Sequence, residues 1–266
     1  HDVVLDTCGT GGDVKGPINI STAAALIAAG CGARVVKHGN RSASSKSGSA
    51  DVLEALGVKI DAGPEKAAAS LRRVGFCFAF ARSHHPAMKH VAPARTALGI
   101  PTIFNLLGPL TNPGRARHQL IGVFSPELTD RLATVLRELG SEHAWVVHAE
   151  DGLDELSTLG PTRVSELHDG RVRTFVVDAR KLGLPDARLS DLQVDSADAS
   201  AAMIRRVLSG KPGPATDIAI LNAAAALVVA GIARSLEEGV FSASTALRIG
   251  SAKAVLDGLI EISNSD

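Results

Sequence analysis

Short β-branched runs alternate with alanine-rich helical segments along most of the chain. The predicted strands cover residues 3–6, 33–37, 75–80, 120–124 and 144–148. Two of the intervening helical patterns begin at Pro64 and Pro126 and end before Gly75 and Gly140, as expected from proline at helix starts and glycine at helix ends. This alternation is typical of a mostly parallel central sheet flanked by helices, so we expect an α/β fold.

Two later segments depart from the alternation. Apolar runs at 164–167 and 172–177 flank Asp169 and Gly170, and an Asp-Gly pair between such runs predicts a hairpin that adds antiparallel strands. Residues 104–113 are apolar but interrupted by glycine and two prolines, which predicts a rigid buried turn.

Composition and charge exclude several classes of protein. Lysine plus arginine and aspartate plus glutamate number 28 each among 266 residues, so the charge indicates neither a polyanionic partner nor an anionic membrane. Cys8, Cys31 and Cys77 are widely spaced, which argues against a disulfide scaffold or zinc site and fits a reducing cytoplasm. The apolar stretches 23–29 and 223–230 are much shorter than the ~20 residues that cross a bilayer.

Two polar loops follow the first two predicted strands. Residues 37–51 carry cations, hydroxyls and glycines, and residues 8–13 carry three glycines ahead of a helix that opens with Asn-Ile-Ser-Thr at 19–22. Backbone N–H groups, hydroxyls and positive charges suit a phosphate-like anion. Because α/β proteins bind ligands where parallel strands end, the two loops predict an anion site. The glycine loop alone matches neither the P-loop nor a clean dinucleotide fingerprint.

The helix that follows the glycine loop has three candidate N-caps, namely Asn19, Ser21 and Thr22. Capping and phosphate binding use the same amides at a helix N-terminus, so the two roles are compatible. Cys8 adjoins this loop, where a nucleophile is conceivable, but a small buried hydrophobe is the more common role of such a residue.

Acidic and cationic residues form two further candidate sites. Asp154 and Glu155 follow the strand at 144–148 and suit Mg²⁺, which takes carboxylate and phosphate oxygens together; a solvated acidic turn is the alternative. Residues 84–90 hold three histidines, but adjacent side chains diverge, which disfavours dedicated zinc binding. Arg95 is either an exposed surface residue or a fork for a carboxylate.

Residues 9–13, 19–22, 37–51, 104–113 and 151–157 together resemble the anthranilate phosphoribosyltransferase family, in the family's order and spacing. The resemblance runs from the first residues to the C-terminal helices. It implies that residues 1–266 form a catalytic α/β domain of the nucleoside phosphorylase and phosphoribosyltransferase type. It further implies transfer of the phosphoribosyl group of 5-phosphoribosyl 1-pyrophosphate (PRPP) to anthranilate in tryptophan biosynthesis, by a cytoplasmic homodimer with no nucleic-acid or membrane partner.

The resemblance also implies a role for each matching residue. Loop residues would bind PRPP: Gly9, Gly12, Asp13, Asn19, Ile20, Ser21, Thr22, Lys37, His38, Gly39, Asn40, Arg41, Ser42, Ala43, Ser44, Ser45 and Ser49. Anthranilate would contact Gly9, Asn40 and Arg95, the last through its carboxylate. Mg²⁺ would be held by Ser21, Asp154 and Glu155. No covalent nucleophile or general base is implied, because the amine of anthranilate is already neutral and nucleophilic at neutral pH.

Two features depart from the family pattern. Pro17 stands where the family commonly has threonine or serine, so a hydroxyl contact to phosphate is absent. The family also begins with a small helical domain that carries much of its dimer contact, and we expect that domain to be missing from this sequence. We expect residues 84–109 to be the part of this chain that packs against such a domain.

Two other functions remain as alternatives. A pyrimidine nucleoside phosphorylase shares the fold and the phosphate-loop logic, but its loop after the second strand has a different pattern. Nucleic-acid-binding relatives of the fold would show a basic surface and lose parts of the substrate loops; this chain is neutral and keeps those loops.

Overall fold

The computed structural model describes residues 3–11, 16–42, 47–91, 94, 97–98 and 102–265. Within these ranges, strands of the chain form one seven-stranded sheet in the order β3-β2-β1-β4-β5-β6-β7. The strands are β1 (Val4–Gly9), β2 (Arg34–Gly39), β3 (Phe76–Phe80), β4 (His118–Gly122), β5 (His143–Ala149), β6 (Thr162–His168) and β7 (Arg171–Val177). Pairing is parallel from β3 through β5 and antiparallel from β5 to β7, so the expected α/β architecture is confirmed.

Helices cover the sheet. In the described ranges they are α1 (Ile20–Gly30), α2 (Ser49–Ala55), α3 (Pro64–Val74), α4 (Ala81–His84), α5 (Phe104–Leu110), α6 (Leu128–Glu138), α7 (Ala197–Leu208), α8 (Pro214–Val229), α9 (Leu236–Ile249) and α10 (Ser251–Asn264). Among these helices, none combines the length and apolarity needed to cross a lipid bilayer.

Strand order places a topological switch between β1 and β4. From β1 the chain proceeds to β2 and β3 on one side, and it then returns to build β4 and β5 on the other. The neighbouring connections therefore leave in opposite directions and open a crevice at the carboxyl ends of β1 and β4. Gly9 and Gly122, the last residues of these two strands, are direct partners across the sheet.

The core is packed through small side chains. Helix α1 has almost no exposed surface, and α8 is likewise buried along most of its length. A Cβ on Gly30 of α1 would lie 2.7 Å from the backbone of Ala252 in α10, and one on Gly239 of α9 would lie 2.8 Å from the backbone of Ala224. Alanine and glycine thus bring the helix backbones into contact, in a closely packed interior where one added methyl would be felt.

The two later segments had different outcomes. The hairpin is confirmed, since β6 and β7 pair in register and Asp169 and Gly170 have φ of 50° and 72°, as a type I′ turn requires. The expectation of a buried turn at 104–113 is wrong for its first part. Residues Phe104–Leu110 form α5, in which Pro109 alone of the seven is buried. A helix can form here because Pro109 lies close to the helix end, where its missing N–H costs few backbone hydrogen bonds.

Candidate active site

Asp154 lies over the glycine pair at the switch point. A Cβ on Gly9 would come within 2.5 Å of its Oδ2, and a Cβ on Gly122 would come within 1.6 Å of its carbonyl oxygen. Neither strand can carry a side chain at this level while Asp154 keeps its place. The two glycines therefore leave room for the acidic segment at the carboxyl edge of the sheet. Close approach of Asp154, and not an unusual backbone conformation, explains why these strand positions are glycine.

The Asp154 carboxylate is buried and lightly bonded. Its side chain accepts a hydrogen bond from the Gly11 N–H at 3.2 Å, while only 8% of the residue's surface is exposed. Loss of hydration raises the pKa of Asp154, with the Gly11 N–H opposing the shift. A buried carboxylate of this kind, next to Glu155 in the chain, is a hard oxygen donor whose charge a divalent cation would offset, so the residues fit Mg²⁺.

Asn222 of α8 fixes the backbone beside the acidic pair. Its Oδ1 accepts from the Leu156 N–H at 3.0 Å and its Nδ2 donates to the Leu156 carbonyl at 2.8 Å. The second N–H of the same amide donates to the Ile218 carbonyl at 2.9 Å, and the residue is fully buried. The amide thus acts as a strand partner for Leu156 and holds the segment that carries Asp154 and Glu155.

The N-terminus of α1 is capped by Asn19. Its Oδ1 accepts from the Thr22 N–H at 3.2 Å and also from the Thr22 hydroxyl. Of the three candidate caps, Asn19 therefore fills the role, and Thr22 has its hydroxyl buried within the cap. Ser21 lies on the other side of the turn, where its Oγ accepts from the Lys37 ammonium at 3.0 Å.

Lys37 is a buried cation beneath this helix terminus. Its Nζ donates to the Thr7 carbonyl as well as to Ser21, and the residue is 1% exposed. Burial lowers the pKa of Lys37, with the nearby Asp6 carboxylate opposing the shift. The positive charge adds to that of the helix N-terminus, where anions are stabilised.

Side chains replace backbone pairing between β1 and β2. Their recorded register covers Val4 with Arg34 and Leu5 with Val35. Beyond that point the Asp6 carboxylate accepts the His38 backbone N–H at 3.1 Å, and Lys37 donates to Thr7 as described above. The Asp6 carboxylate and the Lys37 ammonium thereby fill the gap between the strands, directly below the carboxyl edge of the sheet.

Asp6 has a second partner on the loop after α5. The Asn112 Nδ2 donates to Asp6 at 2.7 Å and to the Val36 carbonyl at 2.7 Å. Complete burial raises the pKa of Asp6 to about 6, against the lowering effects of Lys37 and Asn112. Burial, with the neighbouring Asp6 charge, also raises the pKa of the Cys8 thiol, which is the opposite of what an activated nucleophile needs.

Asp51 closes the serine-rich loop from both ends. Its carboxylate accepts the backbone N–H groups of Ser42 at 3.0 Å and Gly48 at 2.9 Å, as well as the Arg41 guanidinium at 3.0 Å. Desolvation opposes ionisation, but the two N–H groups and Arg41 together hold the pKa of Asp51 below its usual value. Arg41 is also bound by Glu54, so its positive charge is already paired with two carboxylates of α2.

The absence of a side chain at Gly39 lets Ser49, at the end of this loop, lie close to the sheet. A Cβ there would lie 2.1 Å from the Ser49 Oγ and 2.8 Å from the Phe78 ring. Ser49 thus sits directly over the end of β2, whereas Asn40 is exposed with its Oδ1 accepting the Arg41 N–H at 2.8 Å. The hydroxyl of Ser49 and the exposed amide of Asn40 are consequently at the same edge as Gly9.

His38 belongs to a histidine pair. Its Nδ1 donates to the Gly108 carbonyl at 3.0 Å, which leaves Nε2 to accept from the His85 Nε2 at 3.1 Å. Burial lowers the pKa of His38 to about 4, so the ring is neutral at neutral pH. This contact occupies His85, one of the three histidines weighed for a zinc site, with another ring.

Some expected site residues lie outside the described ranges: Gly12, Asp13, Ala43, Ser44, Ser45 and Arg95. Others were not expected from the sequence, namely Asp6, Asp51, Asn112, Gly122 and Asn222. Two of these had a readable signal, because Gly122 interrupts a predicted strand and Asn222 is a polar residue inside an alanine-rich run. Such positions commonly indicate close backbone approach or a satisfied buried hydrogen bond.

Known proteins resemble this chain over most of its length. Residues 1–253 match the model of the glycosyl transferase family, a/b domain. The anthranilate phosphoribosyltransferase of Rhodospirillum rubrum is 55% identical over 258 residues, which cover 97% of this chain and 74% of the relative. That of Thioalkalivibrio sulfidiphilus is 53% identical over 262 residues, or 98% of this chain and 78% of the relative.

Solved structures give the same result. The crystal structure of anthranilate phosphoribosyltransferase (TrpD) from Thermus thermophilus has a TM-score of 0.93 at 45% identity and covers 100% of this chain and 79% of its own. The enzyme from Saccharomyces cerevisiae in complex with PRPP and Mg has a TM-score of 0.90 at 31% identity, over 100% of this chain and 75% of its own. The chain belongs to the anthranilate phosphoribosyltransferase family.

Proposed function

We propose that this chain transfers the phosphoribosyl group of PRPP to anthranilate, releasing pyrophosphate, in tryptophan biosynthesis. One observation carries the proposal most directly: the buried Asp154 carboxylate is seated on Gly9 and Gly122 at the switch point of the sheet. A metal-binding carboxylate and a glycine loop at this edge are what a pyrophosphate ester needs.

Pyrophosphate departure sets the electrostatic demand of the reaction. Breaking the bond from the ribose C1 to pyrophosphate builds positive charge on the sugar and negative charge on the leaving group. Mg²⁺, held by Asp154, Glu155 and Ser21, would stabilise the leaving group as its charge develops. The neighbouring Lys37 ammonium adds a positive charge beneath the same helix terminus, fixed in place before the substrate arrives.

The donor is bound by the two polar loops. We assign its phosphates to the N-terminus of α1, with Asn19, Ser21 and Thr22, and to the loop that Asp51 closes. The hydrogen bonds of Asp51 to Ser42 and Gly48 fix both ends of that loop, which limits the entropy lost when PRPP binds. These loops position the substrate and carry out no covalent chemistry of their own.

The acceptor approaches from the side of Gly9 and Asn40. Its amine needs no strong base, since it is neutral and nucleophilic at neutral pH, and attack on C1 then proceeds by direct displacement with inversion through an oxocarbenium-like state. The raised pKa of the Cys8 thiol supports a reaction without an enzyme nucleophile. Mass spectrometry that detects a ribosyl adduct on the enzyme would contradict this mechanism.

A fluorescence assay tests the proposed function. Anthranilate emission should fall on addition of enzyme only when PRPP and Mg²⁺ are both present, because the product is no longer free anthranilate. Omitting either component, or adding EDTA, should leave the emission unchanged. If the protein instead consumes thymidine and phosphate, the nucleoside phosphorylase alternative is correct and the proposal fails.

Replacing Arg95 separates acceptor binding from donor binding. Arg95→Ala should raise the KM for anthranilate about tenfold or more, the cost of losing a charge-assisted bond to its carboxylate, with a much smaller change for PRPP. Steady-state kinetics with each substrate varied in turn measure both constants. An unchanged KM for anthranilate would remove Arg95 from the acceptor site.

Assembly and compartment complete the proposal. The exposed side chains of Leu98 and Ile103, at 59% and 63%, lie within residues 84–109 and support packing of this stretch against a helical domain. Because that helical domain carries much of the dimer contact in the family, we also propose that the protein forms a homodimer. The free thiols of Cys8, Cys31 and Cys77 agree with a reducing cytoplasm.

A further inference from the structure

Three histidines form a row at the sheet edge opposite the proposed active site. His118 begins β4, His143 begins β5 and His168 ends β6. They are direct cross-strand partners, His118 with His143 and His143 with His168. Their side chains therefore project from the same face of the sheet, at the amino ends of the parallel strands, whereas Asp154 lies at the carboxyl ends.

We propose that His143, Glu166 and His168 bind a transition-metal ion such as Zn²⁺. Glu166 precedes His168 by two residues on β6, so the two share a face, and His143 lies opposite His168. The nearest ligand atoms of the three residues all lie within 4.8 Å of one another. Across the part of the chain that the structure describes, no other group of three histidine, cysteine or acidic residues converges in this way.

The distance between two of the ligand atoms suits tetrahedral coordination. The His143 Nε2 and Glu166 Oε1 are 3.1 Å apart, close to the separation of about 3.3 Å between two ligands that each lie ~2.0 Å from a tetrahedral zinc ion. The His143 and His168 rings stack with centroids 4.3 Å apart. The metal would take the place of the proton in the hydrogen bond from His143 to Glu166. The His168 ring would turn to point a nitrogen at the same ion, since the ligand atoms of the three residues already lie within 4.8 Å of one another.

Neighbouring donors hold the carboxylate in a fixed orientation. The Trp145 Nε1 donates to the Glu166 Oε1 at 2.9 Å, and the Arg173 Nε donates to Oε2. Partial burial opposes ionisation, but the bonds from His143, Trp145 and Arg173 lower the pKa of Glu166 to about 2. Metal-ligating carboxylates commonly have such partners, which fix the ligand before the ion arrives.

An ion can reach the cluster from solvent. A surface cavity of about 490 Å³ is lined by Glu166, His168, Asp169, Arg171 and Arg173, and the His168 side chain is 54% exposed. Three protein ligands leave a fourth position that water can fill. Two imidazoles favour zinc, nickel or copper over magnesium, which prefers oxygen, so the active-site cation would not compete here. The two arginines would moderate the affinity.

Metal titration tests the proposal. The full chain, free of any affinity tag and stripped of metal with EDTA, is titrated with Zn²⁺ against a chromogenic zinc indicator. We expect one equivalent bound by the wild type, a higher Tm with Zn²⁺, and at least a tenfold weaker binding in His168→Ala. The control His90→Ala removes an exposed histidine outside the cluster and should bind as the wild type does.

Two further measurements make the result decisive. Co²⁺ added to the stripped wild type should give the intense visible absorption of a four-coordinate ion, and His143→Ala should abolish it. Turnover of PRPP and anthranilate should be unchanged in His168→Ala, because the cluster lies at the opposite edge of the sheet. The proposal fails if the wild type and His168→Ala bind Zn²⁺ equally well. It also fails if the wild type, shown to be folded by circular dichroism, binds no Zn²⁺, and the cluster is then only an ion pair.

Discussion

Gly122→Ala should lower turnover at saturating PRPP and anthranilate by about 100-fold or more, since small displacements of a catalytic constellation have costs of this size. The added Cβ would lie 1.6 Å from the carbonyl oxygen of Asp154, where real contacts do not fall below 3.0 Å. The segment that carries Asp154 and Glu155 must then move by more than 1 Å. The free energy of unfolding should fall by about 1–3 kcal/mol, as in other overpacked sites.

Gly160→Ala is the matched control for this substitution. A Cβ at Gly160 would have its nearest neighbour, the Asp151 Oδ2, at 4.0 Å, which is ordinary contact. That variant should retain nearly all activity and its normal response to Mg²⁺. Wild-type turnover in Gly122→Ala would show that the position of Asp154 over the glycine pair is not needed for the reaction.

The double substitution Asp154→Asn with Glu155→Gln should lower Mg²⁺-dependent turnover by about two to three orders of magnitude, which corresponds to the several kcal/mol that a metal ion contributes to such a transition state. Neutral amides replace the anionic oxygens that we assign to the cation, with little change in volume. The concentration of Mg²⁺ that gives half-maximal rate should rise as well, measured with the anthranilate fluorescence assay.

The single variant Asp154→Asn should lose activity without losing stability. The raised pKa of Asp154 means that its ionised form is disfavoured in the folded protein relative to the unfolded chain, so at neutral pH a neutral amide removes a cost. The Tm of the single variant Asp154→Asn, measured without Mg²⁺, should therefore not fall. Glu150→Gln, an exposed carboxylate-to-amide change just before this segment, is the control and should match the wild type. A normal Mg²⁺ response in the double variant would contradict the Mg²⁺ site and support the alternative that Asp154 and Glu155 form a solvated acidic turn.

Most of the fold could be predicted from local signals. Strand positions followed from short apolar runs, the two ends of one helix from Pro64 and Gly75, and the hairpin from Asp169 and Gly170. The helix predicted to start at Pro126 begins two residues later, at Leu128. Each of these depends on the conformational preference of one short segment, which the sequence carries within a few residues. The helix at Phe104–Leu110 was missed because the glycine and proline that it contains are also typical of turns.

The site was less predictable, because its parts meet through tertiary contacts. Asn19, Ser21 and Thr22 were equal candidates for the cap. In the structure Asn19 accepts from the Thr22 N–H, while Ser21 accepts from Lys37 of the next strand. Asn222 is 66 residues from the Leu156 backbone that it holds. Neither choice can be read from neighbouring residues, since both depend on which strands and helices become adjacent in the core.

The sequence by itself determined the element types, the α/β class and the family, all of which follow from local conformational preference or from motifs in fixed order. Only the tertiary structure decided that Gly9 and Gly122 face one another beneath Asp154, that Asp6 and Lys37 fill the gap between β1 and β2, and that a histidine row crosses the opposite edge. The physical reason is that strand order and register are set by burial of the whole sheet, and side chains distant in sequence become neighbours only after that burial.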